Sequence, residues 1–231
     1  MTTDHAWIHA LRGRFVAFEG ADGSGKSTQL RRFIDLARTA GVGLCEVREP
    51  GGTHVGERIR AILLDKASDG ITLRCEMLLY MASRAQLVET RIRPAIARGE
   101  LVIADRFVTS TYAYQGSAGG LPEPEIDAVA RVACDRTLPD LIIIFDVDEK
   151  TAARRTGVEP GGRQHPHAGP SLFADRMEDR DASFRTAVRA GYLAQAARDP
   201  ARHAVLDASG TPDEVWARLL DALRAFAARP A

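Results

Sequence analysis

The stretch GADGSGKST, residues 20–28, lies between the apolar run RFVAFE and the helix-like sequence QLRRFIDLARTAG. It matches the pattern G-x-x-x-x-G-K-[ST], in which glycines let the backbone curl tightly and direct successive N–H groups at phosphate oxygens. Lys26 supplies a compact positive charge, and only three of the 31 basic residues in the chain are lysine. The stretch therefore predicts a phosphate-binding loop at the start of a helix.

The residue types of this loop also predict its ligands. Lys26 suits the β- and γ-phosphates of a nucleoside triphosphate, the Ser27 hydroxyl suits Mg²⁺, and the helix N-terminus adds positive potential. A chance glycine-rich turn is the alternative, but the flanking strand-like and helix-like runs argue against it. The predicted nucleotide-binding residues are Gly20, Ala21, Asp22, Gly23, Ser24, Gly25, Lys26, Ser27 and Thr28.

Short apolar runs alternate with amphipathic stretches along the whole chain. The strand-like runs are RFVAFE, VGLCEVRE, LVIADR, LIIIFDV and HAVLDA, and the helix-like stretches include residues 53–64, 73–98, 123–134 and 212–228. This alternation predicts an α/β fold, in which helices cover both faces of a parallel sheet. In such sheets ligands bind beyond the carboxyl ends of the strands.

Composition favours one domain over residues 1–231, because 45% hydrophobic content suffices for one substantial core. Acidic and basic residues number 31 each, so the zero net charge argues against a general nucleic-acid-binding surface. The cysteines lie far apart without a C-x-x-C pair, and no apolar run has the length of a signal peptide or membrane span. We expect a cytoplasmic protein with neither nucleic-acid nor membrane partners.

A phosphate-binding loop occurs in several protein classes. GTPases use an Asn-Lys-x-Asp motif to recognise guanine, and this chain contains no asparagine. A motor or transporter ATPase needs coupled partner domains, for which a chain of 231 residues has no room. A small-molecule kinase needs a second pocket facing the γ-phosphate and a lid that excludes water. The remaining motifs fit this last class.

These motifs are FEGADGSGKST, REPGGT, LLYMASRAQ, DRF with STYAYQG, and DRMED before FRTAVRAGY. In this order they resemble the bacterial thymidylate kinases, a family of P-loop nucleoside monophosphate kinases. The resemblance runs from about residue 15 to the final helix. It implies a P-loop NTP-binding fold with a five-stranded parallel sheet and a mobile lid at about residues 154–180. It also implies ATP and Mg²⁺ as cofactors, dTMP as the phosphoryl acceptor, and a homodimer.

The same resemblance places the sugar and phosphate of dTMP against several residues. Asp22 matches a position associated with the 3′-hydroxyl and the phosphate, although a carboxylate here also fits a turn. Glu49 and Pro50 match the turn at the acceptor site, where a cis bond precedes the proline. Arg60, on the following helix, matches a position near the acceptor phosphate.

Asp105 and Arg106 end the strand-like run LVIADR, where the two bound phosphates are expected to meet. Asp105 suits the hydration shell of Mg²⁺, and Arg106 suits the acceptor phosphate and the charge that develops in transfer. A buried ion pair at the end of a strand is the alternative role for Asp105.

The base and the 2′ position of the sugar are assigned to five residues by the resemblance. Tyr80 and Arg84 lie four apart and therefore project from one helix face, where Tyr80 stacks on thymine and Arg84 donates to O4. Thr111 and Gln115 match positions beside the base, and Tyr114 matches the aromatic that crowds the 2′ position. Outside the ordered motifs, Tyr80 and Arg84 would be ordinary core and surface residues.

Lid arginines are expected to contact the phosphates during transfer. The phosphate loop carries Gly23 where some family members have arginine, so dependence on the lid is greater here. The candidates are Arg154, Arg155, Arg163 and Arg176, with Arg180 behind them, and Arg155 and Arg163 join Lys26, Asp22 and Arg106 as predicted catalytic residues. The segment TGVEPGGRQHPHAGP, from residue 156, lacks periodicity and predicts a loop. His165 and His167 fit a solvated loop better than a metal site.

The sequence thus predicts transfer of a phosphoryl group from ATP to dTMP. Two alternatives remain open at this point. The first alternative is that the protein is another nucleotide or nucleoside kinase. The second is that it is a regulatory protein that binds nucleotides without turnover.

Overall fold

The computed structural model describes residues 5–68, 70–156 and 182–229. A single five-stranded sheet forms its centre, with all described strands parallel and in the order β2-β3-β1-β4-β5. The strands are β1 (Phe15–Glu19), β2 (Leu44–Arg48), β3 (Leu101–Asp105), β4 (Leu141–Asp146) and β5 (His203–Asp207). All five predicted strands and the α/β class are confirmed.

Each face of the sheet contributes to a separate apolar core, because successive side chains of a strand point to opposite faces. Phe15 and Ala17 of β1 join one core, whereas Val16 and Phe18 join the other. All five residues of β1 are buried, as expected for a central strand with helices on both sides.

Helices connect the strands and cover both faces. They are α1 (Ala6–His9), α2 (Lys26–Thr39), α3 (His54–Leu64), α4 (Leu73–Leu87), α5 (Arg93–Ala97), α6 (Val108–Thr111), α7 (Glu123–Cys134), α8 (Glu149–Thr156), α9 (Ala182–Arg198) and α10 (Pro212–Ala227). Threonine side chains cap several of them, and Thr211 forms a reciprocal capping box with Glu214 at α10. No described helix is long and apolar enough to cross a membrane.

The helix predicted over residues 73–98 is interrupted in the structure. A π-helical turn, Val88–Ile92, separates α4 from α5, and Pro94 lies in the first turn of α5. Because proline has no N–H group, it removes one intrahelical hydrogen bond and disfavours regular α-helix just before it. A second π-helical turn, Tyr112–Ala118, follows α6 and carries Tyr114 and Gln115, two of the residues predicted to bind dTMP.

Most of the predicted lid lies outside the described residues. Residues 154–156 belong to the last turn of α8, and the described chain resumes at α9. The predictions for Arg163, Arg176, Arg180, His165 and His167 therefore fall on residues that the structure does not describe.

Candidate active site

The phosphate-binding loop connects the carboxyl end of β1 to the N-terminus of α2, as the sequence predicts. Gly20, Gly23 and Gly25 all have positive φ angles of 147°, 77° and 82°. Residues other than glycine rarely adopt these backbone conformations, so the glycine spacing of the motif reflects backbone geometry. Helix α2 begins at Lys26, which places its N-terminal N–H groups at the loop.

The loop forms the floor of a first cleft of about 510 Å³. Its walls include Arg155 from α8, Ala208 and Gly210 from the connection between β5 and α10, and Pro212 at the start of α10. Every residue from 21 to 28 lines this cleft, so the structure brings together nearly the whole predicted nucleotide-binding set.

Helix α8 approaches the phosphate loop so closely that a side chain is excluded at Gly23. A Cβ atom built there would lie 2.5 Å from the carbonyl oxygen of Ala152. The Arg155 guanidinium donates to the carbonyl oxygens of Ala208 (2.8 Å) and Gly210 (2.9 Å), with longer contacts to the loop itself. Arg155 therefore joins the phosphate loop to the β5–α10 connection, and Arg154 is exposed.

A second cleft of about 340 Å³ opens beside the first. Asp22, Gly23, Lys26 and Ser27 line both clefts, so ligands in the two would meet at the phosphate loop. The second cleft contains every residue predicted to bind dTMP, namely Asp22, Glu49, Pro50, Arg60, Tyr80, Arg84, Arg106, Thr111, Tyr114 and Gln115.

Lys26 and Asp105 are in direct contact where the two clefts meet. Burial alone would raise the pKa of Asp105, but the Lys26 ammonium, together with Arg106 and Arg60, outweighs burial and holds that pKa below its usual value. The ion-pair alternative for Asp105 is thus realised, with the phosphate-loop lysine as its partner. Asp105 keeps 29% side-chain exposure and remains open to the cleft.

The residues that suit Mg²⁺ are Ser27 and Asp105, both with oxygen donors at the junction of the clefts. No group of three or more histidine, cysteine or acidic residues suited to a metal occurs in the part of the chain that the structure describes. This donor set fits Mg²⁺, which is commonly held by one or two protein oxygens together with substrate phosphates and water.

Three hydrogen bonds hold the turn at residues 49–52 in place. The Glu49–Pro50 peptide is cis, as the resemblance implies. Arg60 donates to the Pro50 carbonyl (2.9 Å), the Gly51 N–H donates to Ser83 Oγ (3.1 Å), and the Gly52 N–H donates to Glu57 Oε1 (2.7 Å). The turn is therefore tied to both α3 and α4.

Arg84 is fully buried at the inner wall of the second cleft. Its Nε donates to both Glu49 oxygens, at 3.0 and 2.9 Å, and Nη1 donates to Thr111 Oγ1 at 3.2 Å. Burial opposes the charge on Arg84, but attraction to Glu49 prevails and raises the pKa of Arg84 above its ordinary value. For Glu49 burial prevails over Arg84 and raises the pKa to about 7.

Several polar residues around the second cleft were not predicted from the sequence. Glu19 ends β1, and Ser110 and Tyr192 contact its carboxylate, while Glu76 accepts from Gln115 Nε2 (2.9 Å). The one available signal was the acidic residue just before the phosphate loop, at the end of an apolar strand. Tyr192 ends the motif FRTAVRAGY, but its contact with Glu19 could not be predicted, because only the fold brings α9 against that strand.

A parallel sheet of order 2-3-1-4-5, a phosphate loop after the central strand and a second cleft at that loop define a P-loop kinase of small molecules. Comparison with known families specifies this class further. The profile of the family described as thymidylate kinase matches residues 18–219. The chain belongs to the thymidylate kinase family.

Individual relatives agree with this assignment over most of their length. The chain is similar to the thymidylate kinase of Solidesulfovibrio magneticus, with 42% identity over 87% of this chain and 94% of the relative. The thymidylate kinase of Nitratidesulfovibrio vulgaris is 40% identical over 94% of this chain and 99% of its own. The crystal structure of thymidylate kinase from Ehrlichia chaffeensis, at 29% identity, superposes with a TM-score of 0.70, covering 91% of this chain and 98% of that one.

Proposed function

We propose that this protein phosphorylates dTMP to dTDP with ATP as the phosphoryl donor and Mg²⁺ as the cofactor. One observation carries the proposal. All the predicted dTMP-binding residues line one cleft, the phosphate loop lines another, and the two share Asp22, Gly23, Lys26 and Ser27. A donor and an acceptor bound in these clefts would bring their phosphates together at Lys26, as in-line transfer requires.

In the proposed reaction an oxygen of the dTMP phosphate attacks the γ-phosphorus of ATP, and the bond from that phosphorus to the ADP oxygen breaks. Lys26 holds the donor phosphates and Arg106 holds the acceptor phosphate, so both offset negative charge that spreads during transfer. Ser27 and Asp105 would hold Mg²⁺, which neutralises phosphate charge when it is bound. No covalent enzyme intermediate is needed.

Base selectivity is proposed to depend on Arg84, because Glu49 fixes the Arg84 guanidinium in the wall of the second cleft. A guanidinium that donates to thymine O4 would meet the amino group of cytosine as donor against donor, which is costly in a desolvated site. Tyr114 lines the same cleft and is proposed to exclude a 2′-hydroxyl. Residues 154–180 remain the proposed lid.

Steady-state rates with ATP, Mg²⁺ and a panel of acceptors test the function. We expect kcat/KM to be highest for dTMP, with dUMP lower by about 10- to 200-fold because only a methyl group is lost. The ribose analogue of dTMP and dCMP should be far poorer. A different best acceptor would favour another nucleotide kinase, and binding without turnover would favour a regulatory protein.

The contribution of Arg84 is best measured in the Arg84→Ala/Glu49→Gln double variant. Arg84→Ala alone would leave an uncompensated buried carboxylate and destabilise the fold. In the double variant, the ratio of kcat/KM for dTMP to that for dCMP should shrink toward one. An unchanged ratio would contradict the role of Arg84 while leaving the kinase assignment intact.

We also infer that the protein acts as a homodimer. Leu78 on α4 and Val132 on α7 have 51% and 80% exposure, and their two helices pack against each other. Exposed aliphatic side chains that form one contiguous patch mark a surface that associates with another chain, and the resemblance to the thymidylate kinases implies a homodimer. A second copy of this chain is the proposed partner.

A further inference from the structure

Glu19 is a carboxylate buried at the end of the central strand, where it directly precedes the phosphate loop. Its exposure is 0%, so it cannot contact a ligand in either cleft, and it lines neither of them. A buried carboxylate is retained at low cost only when several donors satisfy it. The identity of these donors indicates what Glu19 does.

The three donors to Glu19 all belong to the immediate surroundings of Arg106. Oε1 accepts the backbone N–H of Phe107 at 2.8 Å, and Phe107 directly follows Arg106. Oε2 accepts the Ser110 hydroxyl at 2.6 Å and the Tyr192 hydroxyl at 3.1 Å. Glu19 therefore joins the backbone beside Arg106 to two hydroxyl groups from different helices.

The same two hydroxyls, of Ser110 and Tyr192, also contact the Arg106 guanidinium. Nη1 of Arg106 lies 3.1 Å from the Tyr192 hydroxyl and 3.4 Å from Ser110 Oγ, and Nη2 donates to Asp22 Oδ1 at 2.8 Å. The guanidinium also lies over the Tyr114 ring, 5.3 Å from its centroid. One carboxylate thus supports both the main chain and the side-chain environment of Arg106.

The backbone of Arg106 needs such support. Its φ angle is 69°, in the left-handed region that residues other than glycine rarely adopt. Strained residues of this kind persist when their surroundings over-determine them, and they concentrate at functional sites. The hydrogen bond from the Phe107 N–H to Glu19, with that from the Arg106 N–H to the Phe18 carbonyl (3.0 Å), fixes this conformation.

We infer that Glu19 is a positioning residue for acceptor phosphate binding, acting through the backbone of Arg106 and through the hydroxyls of Ser110 and Tyr192. This inference rests on the proposed role of Arg106 toward the dTMP phosphate. Glu19 itself contacts no substrate, and it determines where the guanidinium lies rather than its charge. A misplacement of about 1 Å in a catalytic group is enough to lower turnover about 100-fold.

The test compares binding of dTMP with binding of thymidine, which has the same base and sugar but no phosphate. In Glu19→Gln we expect the Kd for dTMP to rise about tenfold or more and kcat to fall, with the Kd for thymidine unchanged. A purely structural role for Glu19 would weaken the binding of both ligands equally, and that result would overturn the inference.

A double-mutant cycle with Arg106→Ala separates this inference from the function it rests on. If Glu19 acts through Arg106, then Glu19→Gln should have little further effect on dTMP binding once Arg106 is alanine. Full additivity would overturn the role of Glu19. If Arg106→Ala itself fails to distinguish dTMP from thymidine, the proposed role of Arg106 is wrong instead.

Tyr192→Phe provides a milder variant in case Glu19→Gln does not fold. It removes only the hydroxyl that bridges Glu19 and Arg106 and keeps the buried ring. We expect the same selective loss of dTMP binding, smaller than in Glu19→Gln, with a smaller loss of melting temperature because Glu19 keeps two of its three donors. Equal binding of dTMP by Tyr192→Phe and wild type would contradict the proposed path through the hydroxyls.

Discussion

Lys26 combines a site role with almost complete burial, since its side chain is only 8% exposed and its ammonium contacts Asp105. We predict that Lys26→Ala lowers kcat at least about 100-fold, because the charge proposed to hold the donor phosphates is lost. The fold should survive, since Asp105 is exposed enough for water to replace the lysine. Initial rates with ATP and dTMP, together with a melting curve, measure both effects.

Lys150→Ala is the matched control for this substitution. Lys150 lies on α8, is exposed, and lines neither cleft. Its rate should equal that of wild type. A folded Lys26→Ala protein with wild-type turnover would show that the loop does not bind the donor phosphates as proposed.

The raised pKa of Glu49 leads us to predict that kcat/KM for dTMP depends on pH. Burial raises its pKa to about 7, so the carboxylate is charged above that pH and takes up a proton below it. We expect kcat/KM for dTMP to fall as the pH drops from about 8 to 6, because a neutral Glu49 holds Arg84 less firmly. Steady-state kinetics over this range measure the profile.

Glu49→Gln is the control that isolates this titration, since the phosphate of dTMP also titrates near pH 6. The variant should be weaker than wild type at high pH, and the difference should shrink as the pH falls. A constant ratio between the two proteins across the range would exclude Glu49 as the titrating group.

At the scale of elements, the phosphate loop and helix α8 form one unit because Gly23 lets them touch. We predict that Gly23→Ala raises the KM for ATP, since its Cβ would lie 2.5 Å from the Ala152 carbonyl oxygen and force α8 away from the first cleft. Gly41→Ala is the matched control. Gly41 has nearly the same φ, 74° against 77°, but no atom within 4 Å of the added carbon.

Both glycine variants should lose stability because alanine is strained at positive φ. Only Gly23→Ala should change the KM for ATP, which a titration of ATP at saturating dTMP measures. If the KM for ATP were equal in both variants, contact between Gly23 and α8 would not determine the shape of the first cleft.

At the scale of the whole molecule, the proposed homodimer predicts a measurable change of mass. Wild-type protein should have twice the 25.1 kDa mass of one chain in solution. Leu78→Glu combined with Val132→Glu should reduce this to one chain, because charges would have to be buried at the interface. Light scattering after size-exclusion chromatography gives the masses, and circular dichroism checks the fold.

Leu138→Glu, at a residue that is 42% exposed outside α4 and α7, controls for the added charge. It should leave the mass unchanged. A wild-type protein that already has the mass of one chain would exclude the homodimer without affecting the kinase assignment.

Local patterns in the sequence were sufficient to predict much of the fold. The apolar runs predicted all five strands, and the glycine spacing of residues 20–28 predicted a loop whose φ angles only glycine adopts readily. These features depend on neighbouring residues alone. The single helix over residues 73–98 was wrong in detail because Pro94 perturbs the hydrogen bonding of the turns before it.

The sequence by itself therefore determined the order of the motifs along the chain: a phosphate loop, the turn at residues 49–52, a strand ending in Asp105 followed by Arg106, and the residues proposed to lie beside the base. Only the tertiary structure decided which of these groups form ion pairs and hydrogen bonds with one another. Lys26 contacts Asp105, Arg84 is paired with Glu49, and Glu19 supports Arg106 through Tyr192 of α9. These partners lie far apart in sequence. They meet because the parallel strands bring Glu19, Glu49 and Asp105 to one edge of the sheet, where Tyr192, Arg84 and Lys26 reach them from helices α9, α4 and α2.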